Sequence, residues 1–142
     1  MAAKQLSVFI ENRKGRLGEV LDVLKANGIN ILSLSLADTT EYGLLRLIVN
    51  NPELCKETLS AGGFSTLLTE VLVVKISHIS GSLQTLLQIL SDNGISVEYM
   101  YGLSIDGEDA SVVIKTSNLE AAERLFSQNG VSFLTSEDIA NL

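Results

Sequence analysis

One pattern occurs twice in the chain, 66 positions apart. In the first copy Lys14-Gly15-Arg16-Leu17 opens an apolar series of Leu17, Val20, Leu21 and Leu24, and Asn27-Gly28-Ile29 closes it. In the second copy Ser80-Gly81-Ser82-Leu83 opens the series Leu83, Leu86, Leu87 and Leu90, and Asn93-Gly94-Ile95 closes it. The offset needs no gap as far as Leu59 and Leu125, and one extra residue then aligns Gly63 with Gly130. Registration over that distance is the mark of a duplicated domain. The 142 residues suffice for two domains, each of roughly 70 residues, with expected bounds 1–69 and 70–142. Halves this small bury modest cores, so a shared interface is expected to support both.

Apolar residues at relative positions 0, 3, 4 and 7 line one face of a helix. The Asn-Gly pair behind each series is a helix stop. Before the first helix, Leu6, Val8 and Ile10 alternate with Ser7 and Phe9, a half-buried strand. After it, residues 29–37 form a second strand whose apolar parity slips between Ile31 and Leu34, and Ile95, Val97 and Met100 repeat the slip. A slip in both copies predicts a bulge or sharp twist in an edge strand. Residues 42–49 are apolar enough for a central strand. Asn51-Pro52 places an N-cap before a first-turn proline, with Leu54, Cys55, Thr58 and Leu59 facing inward as far as Gly62-Gly63. A short fourth strand is expected at 64–68. The second half repeats the series, with strands at 71–76, 95–105, 110–115 and 131–134, a glycine loop at 77–82, a helix from there to Asn93 and another at 118–128. The expected fold class is therefore α+β: two ferredoxin-like βαββαβ domains, antiparallel sheets with helices on one face, packed side by side.

Charge and composition narrow the partners. A net charge of -7 and a pI near 4.6 argue against nucleic acid or an anionic membrane. No apolar run reaches the roughly 18 residues of a membrane span, and the N-terminus lacks the order of a signal peptide. The single cysteine, Cys55, excludes an internal disulfide and fits a reducing cytoplasm, the expected location. No set of Cys, His and carboxylate residues lies at metal-ligand spacing, and no nucleophile has a partner base. No cofactor, metal or catalytic residue is expected.

The glycine loop joins a strand end to a helix start, where unpaired backbone N–H groups and the positive end of the helix dipole suit a carboxylate or phosphate. Arg13, Lys14 and Arg16 add charge there, and the Asn12 amide can both donate and accept. A plain strand-to-helix turn with solvated side chains explains the same residues. His78 matches Asn12, and Ser80, Gly81 and Ser82 repeat the cradle without its cations. If one site alone is filled, the first loop is the expected one.

The order of elements, the loop Asn12-Arg13-Lys14-Gly15-Arg16-Leu17 and the helix end Asn27-Gly28-Ile29-Asn30-Ile31 resemble the ACT domain, a small ligand-binding module of amino-acid metabolism. Lys14 and Ser80 stand where that family usually has proline. The resemblance covers nearly all of the chain and implies a free-standing, non-catalytic tandem ACT protein, with an effector amino acid bound between two ACT domains. The loop of one domain, Asn12 to Leu17 or His78, Ser80, Gly81 and Leu83, then faces the second strand of the other. Those strands offer Asn30 in the first half and Glu98, Tyr99 and Met100 in the second: Glu98 for an ammonium, Tyr99, Met100 and Tyr101 for an apolar wall. A homodimer is expected, with a metabolic enzyme or a regulator of amino-acid metabolism as partner. Two competing readings use the same residues. One is a ligand-independent protein–protein interaction module; the other is acyl-phosphate hydrolysis, for which Arg13 and Asn12 are of the right types.

Overall fold

The computed structural model describes residues 2–11, 13–38, 41–77, 81–103 and 110–142. The chain divides into two compact units, residues 4–69 with 139–142 and residues 70–138 with 1–3. In the first come β1 (Ala3–Glu11), α1 (Arg16–Ala26), β2 (Ile31–Asp38), β3 (Tyr42–Val49), α2 (Pro52–Ala61) and the opening of β4 (Ser65–Ile76). Their strands lie in the order β2-β3-β1-β4, and β3 is antiparallel to both β1 and β2. The second unit takes the rest of β4, then α3 (Ser82–Asp92), β5 (Val97–Leu103), β6 (Ala110–Thr116), α4 (Leu119–Gln128) and the start of α5 (Ser136–Ala140), whose last two residues count with the first unit. There the order is β4-β6-β5, again antiparallel.

Each unit buries one face of its strands beneath its two long helices. In the first, Leu6 of β1 lies opposite Leu47 of β3, and directly opposed residues share a face. That face packs on Val20 and Leu24 of α1 and on Cys55 and Leu59 of α2. In the second, Leu72 opposite Ile114 packs on Leu86 and Leu90 of α3 and on Ala122 and Phe126 of α4. Caps hold the helix ends. The Asn51 side chain accepts from the Leu54 N–H at 3.2 Å, and that of Asn118 from the Ala121 N–H at 3.1 Å. Gly28 and Gly94 take φ of 64° and 70°, which lets the Ile29 and Ile95 N–H groups reach back to Leu24 and Leu90.

The expected bulges are present. The β2–β3 register shifts between Ile31 and Ser33, and the β5–β6 register between Val97 and Tyr99, each on the outermost strand of its unit. Four details differ from the sequence reading. Residues 64–68 and 71–76 are not separate strands: β4 is unbroken, because nothing between Leu67 and Val71 is a turn former. The expected final strand is a single bridge, Val74 to Phe133, flanked by Lys75 N–H to Ser132 O and Leu134 N–H to Val73 O. The chain then turns into α5, whose Thr135 and Asp138 exchange backbone-to-side-chain bonds of 2.9 and 3.1 Å, a capping box. Finally, Leu6 pairs with Leu47 and Leu72 with Ile114, so the extra residue enters before β3, in the hairpin. The counterpart of Leu59 is thus Phe126, the buried residue, and Leu125 only flanks the core.

Candidate ligand-binding site

Both helix entrances have one backbone design. Gly15 precedes α1 with φ 84° and ψ -5°, and Gly81 precedes α3 with φ 88° and ψ -4°. A left-handed residue there turns the chain from strand into helix without a side-chain cap, and glycine adopts it without the steric cost other residues bear. The first-turn N–H groups that follow have no acceptor within the helix.

The side chains around the two entrances differ. Arg16 lays its guanidinium over the Phe64 ring, 4.0 Å from the centroid, and its Nη1 donates to Glu19 Oε2 at 2.6 Å. Its side chain is 17% exposed. Arg13 lies 3.6 Å from the Glu11 carboxylate and 3.5 Å from that of Glu19. The Arg16 hydrogen bond, aided by the charge of Arg13, holds the Glu19 carboxyl below its ordinary range. Two of the three loop cations are therefore already answered by carboxylates of the same unit. Lys14 is exposed, and Leu17 packs against the core. Leu21, expected on the buried stripe, is 38% exposed, and Val23 packs in its stead. The second entrance carries Gly81, Ser82 and a Leu83 that is 36% exposed. Asn12, His78 and Ser80 lie outside the described residues.

The strand residues are also placed. Asn30 precedes β2 at the far end of α1 from the glycine loop. Its N–H donates to the Asn50 side chain at 3.0 Å, and its carbonyl accepts from the Asn50 N–H at 3.2 Å. Asn30 also edges a groove of about 460 Å³ shared with Leu21, Lys25 and Ile31. Glu98 is exposed within the bulge of β5. The expected wall of Tyr99, Met100 and Tyr101 is split by strand alternation. Met100, opposite Ile114, faces the core, while Tyr99 and Tyr101, opposite Lys115 and Val113, take the other face.

Each entrance has a cleft beside it, and the two clefts are counterparts. In the first unit Ile10, Glu11, Arg16, Gly63, Phe64 and Ser65 border a space of about 210 Å³. In the second, Ile76, Ser77, Ser82, Gly130, Val131 and Ser132 hold the same places around about 440 Å³, joined by Lys75, Thr85 and Asn129. The sequence reading missed Phe64, Glu19 and this second lining. The Arg16–Glu19 spacing was a legible signal, but the stacking of Phe64 on Arg16 was not. Cys55 is buried, and burial pushes its thiol up to about 12. Among the described residues, no group of three or more His, Cys, Asp or Glu is placed to hold a metal ion, and no helix is long and apolar enough to cross a membrane.

A sequence model described as an ACT domain pair matches residues 1–142. The chain belongs to that family. Among solved structures, this ACT domain pair is similar to protein BT0572 from Bacteroides thetaiotaomicron, at 35% identity and a TM-score of 0.94, over 100% of this chain and 98% of that one. The regulatory subunit of aspartate kinase from Thermus thermophilus, in a ligand-free form, shares the fold at 19% identity and a TM-score of 0.59, covering 88% of this chain and 91% of the other. The corresponding subunit from Thermus flavus does so at 18% identity and 0.58, with 88% and 90% covered. No curated protein matches the chain. Membership of the ACT domain pair family and the repeated βαββαβ order agree with what the loop and helix-end motifs implied.

Proposed function

We propose that this ACT domain pair is a non-catalytic regulatory protein that binds a small amino acid at a glycine-loop entrance, between two ACT domains. The observation that supports this reading is the paired entrance: Gly15 and Gly81 hold the same left-handed turn with no side-chain cap, and the first-turn N–H groups after them lack an acceptor within the helix, where a carboxylate is bound by charge-assisted bonds. Asn30 or the bulge residue Glu98 meets the ligand ammonium from the strand side. Binding changes how the domains associate, within the chain or in a homodimer, and an enzyme or regulator of amino-acid metabolism reads the change. A dissociation constant of roughly 10 μM corresponds to about -7 kcal/mol, and charge-assisted hydrogen bonds of about 1.5–3 kcal/mol each supply much of it. Acyl-phosphate hydrolysis is disfavoured because Arg13 is engaged by Glu11 and Glu19.

The test is a thermal melt of the whole chain with each of the twenty amino acids. One or a few are expected to raise the midpoint. A flat screen, with no amino acid found by mass spectrometry in the purified protein, removes the sensing role and leaves the ligand-independent interaction module.

A further inference from the structure

The two clefts beside the entrances are one feature built twice, and only one copy is filled from within. In the first unit the Arg16 side chain runs into the cleft, stacks on Phe64 and is held by Glu19. What remains, about 210 Å³, falls below the range of about 300–1,000 Å³ typical of small-molecule sites. The occupant shows that the cleft accepts one elongated side chain. In the second unit every member of that arrangement is replaced by something smaller or neutral. Ser82 stands for Arg16, Val131 for Phe64, Thr85 for Glu19 and Ser77 for Glu11. The space grows to about 440 Å³, within the small-molecule range of about 300–1,000 Å³.

We infer that the effector's side chain is seated in the second unit's cleft, between α3, the end of β4 and the turn after α4, and that this side chain is uncharged and aliphatic. The inference rests on the amino-acid reading above and names the copy and the chemical class. Ile76, Leu86, Ile89 and Val131 supply apolar surface for a branched aliphatic group. Apart from Lys75, the polar part of the lining among the described residues is neutral: hydroxyls of Ser77, Ser82, Thr85 and Ser132 and the amide of Asn129. The Thr85 hydroxyl bonds the Gly81 carbonyl at 3.0 Å, and the Asn129 amide nitrogen bonds the Leu125 carbonyl at 2.8 Å. Lys75 is the one charged member among the described residues, and its charge adds a little to the Thr135 hydrogen bonds that hold the Asp138 carboxyl below its ordinary range. Among the described residues no carboxylate lines the cleft to compensate a cationic side chain, whereas in the first copy Glu11 lines it and Glu19 pairs with Arg16. The first loop, richer in cations, is thereby the self-occupied copy, contrary to what its sequence leads one to expect.

The experiment is calorimetric titration of the full chain with L-leucine, L-isoleucine and L-valine against L-lysine and L-glutamate. It is paired with amide chemical-shift mapping on the unaltered protein. At least one of the three aliphatic amino acids is expected to bind, with shifts concentrated at Ser82, Thr85, Asn129 and Val131. The double variant Ser82→Arg with Val131→Phe, which copies the first unit's plug into the second, is expected to lose about tenfold or more in affinity. Shift mapping needs no substitution, so it decides the matter even where that variant does not fold. Binding with shifts clustered at Arg16, Glu19 and Phe64, equal affinity in a folded double variant, or binding of charged amino acids alone overturns the inference and leaves the sensing role standing. Failure of all five to bind overturns the inference, and the melt with all twenty amino acids then decides whether the sensing role stands.

Discussion

The two helix entrances share a backbone and little else. Gly15 and Gly81 agree within a few degrees in φ and ψ, and so do the helix ends at Asn27 and Asn93, whose side chains each bond the carbonyl four residues back at 2.8 Å. Around that common frame the first copy carries two arginines locked to two glutamates, and the second carries serine and threonine hydroxyls. Backbone geometry here is fixed by glycine torsions and main-chain bonds, which tolerate almost any neighbouring side chain. Charge and cavity size depend on a handful of positions, and those have diverged. A duplicated fold can therefore keep two entrances while leaving one cleft open and the other closed.

The largest effect by which to break this comparison lies in the cores. Phe126 and Leu59 are counterparts, both fully buried. Phe126→Ala is expected to cost about 3–5 kcal/mol and Leu59→Ala about 2–5, with the phenylalanine the costlier of the two in urea unfolding. A fully tolerated Phe126→Ala contradicts the placement of Phe126 in the second core. Next come the glycines. Nothing lies within 4 Å of a Cβ built at either Gly15 or Gly81, so only the torsion opposes a side chain. Gly15→Ala and Gly81→Ala are each expected to cost about 1–2 kcal/mol, and unequal costs in denaturant titrations show that the entrances differ in backbone too.

The smallest effect is electrostatic. Glu19, held below its ordinary value of 4.5 by Arg16, stabilises the fold in its charged form. That contribution is present above the unfolded pKa and lost as pH falls through the lower folded one. The melting-point gap between the unaltered chain and Glu19→Gln is therefore expected above about pH 5 and to close in more acidic buffer. Thr85→Val at the matching place has no titrating group, so its gap is expected to be the same at both ends of that range. A Glu19→Gln gap that persists at low pH means the pair contributes nothing through charge.

How much of this was legible without coordinates varies by physical origin. Helices, caps and stops were readable because Leu17, Val20, Leu24, Asn27-Gly28 and Asn51-Pro52 act through local rules. The edge bulges were readable because side-chain parity must slip where a residue is left unpaired. The unbroken β4 was missed because residues between two strand-like runs were read as a boundary when they hold no turn former. The capping box of Thr135 and Asp138 was written in the chain, yet four apolar-leaning residues before it read as a strand. At the site, the entrance glycines were visible and the state of Arg16 was not. Nothing local to Arg16 announces that Phe64, 48 positions later, will lie beneath it. The cleft lining of Ser77, Ser82, Thr85 and Val131 comes together only when strand, helix and turn are packed.

Burial of Cys55 has a consequence of its own. With its thiol raised to about 12 by burial, little of it is present as the reactive anion at neutral pH, which disfavours attack on peroxide or on a disulfide. The counterpart position holds Ala122, which has no sulfur at all. In the folded chain, burial therefore makes Cys55 a poor target for oxidants and for thiol exchange.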